Sequence, residues 1–359
     1  MRPLILLFGM PRSGTSWLGK IFDSHPWTIY RHEPDSRGAL NDIPLLPSAQ
    51  ESERYGPIAE RFVATLPRMN GVKIAASVPV FRKEYLSPAR YWAKRTGIWT
   101  ARIASRAIGE MPVAEWFDYD RLPDAPIVWK SVESAGRLGV FGARCPHARA
   151  FLVLRHPCGH LASTLRFVDG KVSARDDLFE DFGLFELIVG TDQARRYGLT
   201  LERFRAMSPA QRLAWRWVVM NEKAIDDTAH LGNCQVIRYE DICGNPLEGA
   251  RRLFQLAGLS WSEQTERFIR ASTSRESGAF YSVFKHPLRA ANRWRTELHT
   301  ETIDQIMSVV SATSLYRYYR TAAQPVRCEQ GHDDGSATRP HVAASVRKVV
   351  EPVPAFGKR

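Results

Sequence analysis

Six consecutive residues near the start of the chain, Arg12, Ser13, Gly14, Thr15, Ser16 and Trp17, include the types needed to hold a phosphate-like anion. The arginine supplies a charged fork of N–H donors, and the hydroxyls supply short neutral ones. These residues follow a charge-free apolar run, Leu4 to Phe8, in a turn punctuated by Gly9, Pro11 and Gly14. Beyond the turn, Trp17, Leu18, Ile21 and Phe22 recur at helical spacing. The pattern predicts a buried strand, a tight glycine turn and a helix beginning near Ser13 to Thr15. The first N–H groups of a helix have no intrahelical partner and the dipole makes that end positive, so an anion is favoured there. Gly9 and Gly14 have the spacing of a G-x-x-x-x-G-K-[ST] loop, yet Thr15 stands where the lysine belongs and the cation has moved forward to Arg12. That change points to an anion held without the loop lysine, and away from metal-dependent ATP chemistry.

Three further stretches place reactive types at the ends of predicted strands. Trp27 to Tyr30 reads as a short strand followed by Arg31-His32-Glu33-Pro34. In an open parallel sheet, ligands gather outside the carboxyl ends of the strands. Glu33 is therefore placed to take a proton from an acceptor, a role that contributes on the order of 100- to 10,000-fold. His32 is the rival base, and pairing of Glu33 with Arg31 is the structural alternative. Ile127 to Ser131 reads as a strand ending in a cation, Lys130. Phe151 to Leu154 reads as a buried strand leading to Arg155. Pro157 suits the first turn of a helix, and Ser163 lies eight residues after Arg155, about two helical turns in. Arginine and serine both suit phosphate. His156-Pro-Cys158-Gly-His160 superficially suggests a metal site, but no second ligand cluster accompanies it, so a turn followed by a helix is the better account and no metal is expected.

The stretch Gly9-Met-Pro-Arg-Ser-Gly-Thr-Ser-Trp-Leu18 resembles the 5′-phosphosulfate loop of sulfotransferases that use 3′-phosphoadenosine 5′-phosphosulfate (PAPS). Its Pro-Arg-Ser-Gly form is similar to the bacterial and Golgi branch; the cytosolic branch usually has Lys in the place of Arg12. The resemblance covers roughly residues 3 to 320. It implies an α/β fold, a P-loop-like open parallel sheet with helices on both faces, and transfer of a sulfuryl group from PAPS to a hydroxyl or amine without a metal. It implies that Arg12, Ser13, Gly14, Thr15, Ser16 and Trp17 hold the 5′-phosphate, with Arg12 and Lys130 near the sulfuryl group and Glu33 as base. Arg155 and Ser163 would grip the 3′-phosphate, which ATP lacks. Tyr239 would approach the adenine, with core packing as the alternative. Lys285, in the basic stretch Ser274 to Trp294, would contact a phosphate. The acceptor is expected among carbohydrates or lipid-linked molecules. Two other classes stay open: a P-loop-like kinase acting on a small molecule, and a noncatalytic basic peripheral binding protein.

The elements that must position these residues are legible in outline. The 359 residues suffice for one large α/β domain, expected over 1–324 with insertions at about 35–125 and 168–210, followed by a disordered tail over 325–359. Within the first insertion, Ala89 to Glu110 carries Tyr91, Trp92, Lys94, Arg95, Trp99, Arg102 and Arg106. It reads as a core-facing helix with a solvated basic face; a lid over an anionic acceptor and an interfacial membrane helix are the alternatives. Arg212 to Asp227 predicts an amphipathic helix with Leu213, Trp217, Met220 and Ala224 on one stripe. Cys234 to Asp241 predicts a buried strand, Leu247 to Ala257 a helix, and Glu301 to Tyr319 the last helix.

Composition bounds the rest. Lys plus Arg is 50 against 38 Asp plus Glu, a net charge of +12, which favours anionic partners. The arginines are scattered rather than interleaved with aromatics on one element, so no nucleic acid partner is expected. Cys145, Cys158, Cys234, Cys243 and Cys328 show no paired spacing, which fits a reducing compartment. No apolar run reaches 18 residues, so no membrane span is expected, though peripheral membrane contact stays open, and the protein is expected in the cytoplasm.

Overall fold

Leu4–Phe8 (β1) is buried along its whole length because it occupies the centre of a five-stranded parallel sheet. The computed structural model describes residues 2–36, 38–169, 182–274, 283–284 and 286–320. The strands are β1, β2 (Ile29–His32), β3 (Ile127–Ser131), β4 (Arg149–Leu154) and β5 (Cys234–Arg238), in the order β2-β3-β1-β4-β5. All pair in parallel, with Leu7 opposite both Lys130 and Phe151. The helices are α1 (Thr15–Ser24), α2 (Ser52–Thr65), α3 (Val72–Ala75), α4 (Pro88–Ile108), α5 (Leu138–Arg144), α6 (Pro157–Asp169), α7 (Phe182–Val189), α8 (Asp192–Arg196), α9 (Leu201–Ala206), α10 (Pro209–Thr228), α11 (Tyr239–Gly244), α12 (Pro246–Ala257), α13 (Glu263–Ser274), α14 (Pro287–Asn292), α15 (Trp294–Glu297) and α16 (Thr300–Ser311). Met1–Arg320 forms one compact unit.

Strand side chains alternate between faces, and each face has its own core. Leu4, Leu6, Phe8, Trp129, Leu152 and Leu154 pack with Phe62 of α2 and Leu138 and Phe141 of α5. Ile5, Leu7, Val128, Phe151 and Val153 pack with Leu18 and Phe22 of α1, Leu253 and Phe254 of α12, and Phe268 of α13. Helices therefore cover both faces, and the apolar runs are continuous because neither side meets water. Burial of one such Leu or Phe contributes about 1.5–3 kcal/mol. The chain passes from β1 across β3 to the edge strand β2, turns back to β3, and then crosses β1 to reach β4. Such a reversal opens a crevice at the carboxyl ends of the strands.

Several boundaries differ from the sequence reading. The second strand begins at Ile29, not Trp27, because the Thr28 hydroxyl donates to the carbonyls of Phe22 and His25 and holds the turn back. The stretch from Cys234 stays strand only to Arg238; Tyr239 opens α11. As an edge strand β5 is half-buried rather than buried. The last helix ends at Ser311 and gives way to a 3₁₀ turn, Ser314–Tyr318. In α10 the predicted stripe of Leu213, Trp217, Met220 and Ala224 is buried. The expected tail over 325–359 lies outside the described residues.

Candidate active site

The turn after β1 is shaped by two residues with positive φ, Arg12 at 72° and Gly14 at 98°. Gly14 is the residue before α1, and no side chain caps that helix start. The Trp17 N–H donates to the Gly14 carbonyl at 3.1 Å, so the N–H groups of Thr15 and Ser16 are the ones left for a ligand or water. The Ser13 N–H donates to the Met10 carbonyl at 3.1 Å, closing the turn. The Ser13 hydroxyl is buried and has no hydrogen-bond partner among the described residues. Gly9 allows the loop to press on β4: a Cβ there would lie 2.7 Å from the Val153 carbonyl oxygen. Thr15 is buried, Ser16 is exposed, and the Trp17 indole N–H donates to Ser272 of α13 at 3.1 Å.

The structure gathers the other predicted anion-binding residues onto this loop. Arg12 Nε donates to Ser163 Oγ at 3.2 Å. Arg155, at the end of β4, donates from its two terminal nitrogens to the carbonyls of Arg12 and Ala290, each at 2.8 Å. Its Nε is buried with no partner among the described residues. The Arg155 guanidinium lies 5.2 Å from the Tyr239 ring centre, and Tyr239 meets Trp17 edge to face at 6.3 Å. Tyr239 also covers Gly14, where a Cβ would come within 2.3 Å of its ring. Lys285 lies outside the described residues.

Glu33 follows β2 and is the other non-glycine residue with positive φ, 51°, among the described residues. Lys130 Nζ, buried at the end of β3, is bonded to Glu33 Oε1, and the Glu33 N–H donates to the Lys130 carbonyl at 2.7 Å. Burial pushes the Glu33 carboxyl up, but the Lys130 ammonium, with His32 beside it, reverses this and holds it below the usual carboxylate range. Burial lowers the Lys130 ammonium, against the pull of Glu33, and the charge of Arg12 lowers it further. Burial and then Lys130 push the His32 imidazole down to about 3. His32 is therefore a poor proton acceptor, and its Nδ1 is bonded to the Tyr30 hydroxyl at 3.0 Å. Glu33 does not pair with Arg31, which is turned away to Glu115.

One positioning residue escapes sequence reasoning. Buried Asp35 accepts hydrogen bonds from the hydroxyls of Ser131 and Ser134 and, at 3.1 Å, from the Trp129 indole. It fastens the turn carrying Glu33 to the strand end carrying Lys130. The only signal in the sequence is a second carboxylate in the same turn, Glu33-Pro34-Asp35. A cleft of about 560 Å³ lined by Pro3, Trp27, Asp124 and Pro126 lies at the opposite, amino ends of the strands, so it is separate from these groups. No group of three or more His, Cys, Asp or Glu that could hold a metal occurs among the described residues.

An uncapped helix start, an arginine with positive φ and a carboxylate–lysine pair stand at the carboxyl ends of a parallel sheet, an arrangement that suits an anionic ligand. The chain belongs to the sulfotransferase family, whose family model matches residues 3–263. It is 36% identical to human carbohydrate sulfotransferase 2 over 78 residues, 21% of this chain and 15% of that protein. It is 27% identical to mouse carbohydrate sulfotransferase 3 over 93 residues, 25% of this chain and 20% of that protein. The matches thus span a fifth or less of the length of these relatives. Among solved structures, a sulfotransferase domain from the curacin biosynthetic pathway aligns with 87% of this chain and 98% of that one (14% identity, TM-score 0.39). Sulfotransferase STF9 from Mycobacterium avium aligns over 89% and 76% (15% identity, TM-score 0.37).

Proposed function

We propose that this chain transfers a sulfuryl group from PAPS to a hydroxyl of a carbohydrate or lipid-linked acceptor. The observation that carries the reading is the placement of backbone strain. Among the described residues, the two non-glycine positions with positive φ are Arg12 and Glu33. Each costs roughly 1–2 kcal/mol, and such residues cluster where a site dictates the geometry. Lys130 stands on the strand between them. The uncapped start of α1 and the unpartnered Ser13 hydroxyl fit a 5′-phosphate.

In this reading Glu33 takes the proton from the acceptor oxygen as that oxygen bonds to sulfur. The bond between sulfur and the 5′-phosphate oxygen breaks, and Arg12 and Lys130 balance the charge that develops on the departing phosphate. Arg155 and Ser163 recognise the 3′-phosphate, exchanging contacts they now make to Arg12 for phosphate oxygens, and Tyr239 borders the adenine. The partial likeness to carbohydrate sulfotransferases supports a sugar hydroxyl as acceptor. The four described cysteines are free, which supports a reducing, cytoplasmic setting. Residues 1–324 are proposed as the catalytic domain.

Calorimetry with 3′,5′-bisphosphoadenosine (PAP) against ATP tests the donor. PAP is expected to bind about 100-fold more tightly, the value of one or two charge-assisted hydrogen bonds to the 3′-phosphate. Equal or absent binding overturns the assignment. Radiolabelled donor incubated with glycan and lipid extracts then identifies the acceptor.

A further inference from the structure

The long helix α4 is anchored on one side only. Ile98 and Ala101 are buried in a satellite cluster with Val72 of α3, Ala76 and Val113. Arg102 donates to the Ala76 carbonyl at 3.0 Å, and Lys94 lies 3.9 Å from Glu115. The opposite side carries Trp92, Trp99 and Ile103, which are 58%, 50% and 65% exposed, with Ile108 at the helix end 71% exposed. Trp92, Arg95, Trp99, Ile103 and Arg106 follow one another at intervals of three or four residues, so they share a face. Gly109, with φ 90°, ends the helix just past this row.

Composition and exposure together identify what this face fits. The helix contains Arg90, Lys94, Arg95, Arg102 and Arg106 and not one Asp or Glu. The Arg95 guanidinium lies 5.0 Å from the Trp92 ring centre and that of Arg102 5.9 Å from Trp99, so cation and indole present together. Tryptophans alone would suit a sugar, and arginines alone would suit any polyanion. Ile103 suits neither, because an anionic sugar offers nothing apolar to cover it. Basic residues set among Trp and aliphatic side chains are what an interfacial helix shows, and anionic headgroups complement the exposed charges of Arg95 and Arg106.

We propose that the outer face of α4 docks on a membrane surface bearing anionic lipids. The helix reaches the sheet through α3, which packs on β2, the edge strand followed by Glu33. Docking there would bring the carboxylate side of the site towards acceptors held in the bilayer. The proposal does not depend on the donor, since no residue of α4 belongs to the catalytic set.

The test is sedimentation of the full chain with vesicles of phosphatidylcholine alone or mixed with phosphatidylglycerol, with a second set carrying brominated acyl chains. Binding to the anionic vesicles, weaker binding to the neutral ones, and quenching of tryptophan emission by the brominated lipid are expected. Trp99→Ser combined with Ile103→Ser should reduce partitioning about tenfold or more. Arg95→Gln and Arg106→Gln, both at exposed positions, should each reduce it about fivefold. Absence of binding overturns the proposal, as does binding that these substitutions leave unchanged. So does binding without quenching that a soluble sulfated polysaccharide abolishes, which would mark a polyanion site instead. Circular dichroism and PAP calorimetry on the same variants read folding and donor binding separately.

Discussion

Glu33 and Lys130 form a pair whose members set each other's charge. Burial favours the neutral form of both, and their mutual attraction opposes it. For Glu33 the attraction wins, so the carboxylate is ionised at neutral pH and ready to accept a proton. Activity should fall only as the pH drops through its lowered pKa, below the ordinary value of 4.5. Glu33→Gln should remove that acidic limb and reduce turnover by about 100- to 10,000-fold with PAP affinity retained. Lys130→Met leaves burial without the opposing charge, so the limb should move to higher pH. A pH series of turnover checks both; an unchanged limb in Lys130→Met would show that the lysine does not set the charge of Glu33.

At the scale of elements, the loop and helix α1 depend on Gly14. An alanine there meets two obstacles, a φ of 98° and the Tyr239 ring 2.3 Å from the new Cβ. Gly14→Ala should therefore destabilise the fold by about 2 kcal/mol and weaken PAP binding by moving Tyr239, measurable by thermal melting and calorimetry. If both are unchanged, the turn is not the cradle. This element was legible in sequence because its signals are local: an apolar run buried on both faces, two glycines and a helical repeat. The register of β2 was less so, since it depends on the Thr28 hydroxyl reaching back to Phe22 and His25. Tyr239 read as strand because a short α11 follows β5 without a breaker, and one apolar alternation serves both. The Glu33–Lys130 pair and the Asp35 staple were beyond reach as contacts, because they depend on β2 and β3 being neighbours in the sheet. Helix α4 was found from its repeat, but with apolar residues on both sides the repeat does not say which stripe faces in. The core-facing, outwardly solvated helix is what the structure shows, and its exposed face carries Trp92, Trp99 and Ile103 beside Arg95 and Arg106.

Across the whole molecule, burial keeps a set of histidines neutral. It pushes His25 down to about 4 and His32, His156 and His160 down to about 3, from an ordinary 6.5. The unfolded chain takes up these protons near the ordinary value and the folded chain refuses them until much lower pH. Stability is thus complete above 6.5 and is lost as pH falls towards 3–4. For His25, His156 and His160, each at most 7% exposed, the loss at pH 5 is about 2 kcal/mol per residue. Calorimetric melting should show Tm falling by several degrees between about pH 7.5 and pH 5; a flat profile would mean that these rings are protonated in the fold.

The order of strands adds a consequence of its own. Arg12, Arg155 and the glycine turn belong to β1 and β4, in the middle of the sheet, whereas Glu33 stands at the rim on β2. In the proposed reading the two halves of the reaction therefore rest on separate foundations, so exchanging residues 35–125 for those of another family member is expected to change the acceptor while leaving PAP affinity, read by calorimetry, unchanged.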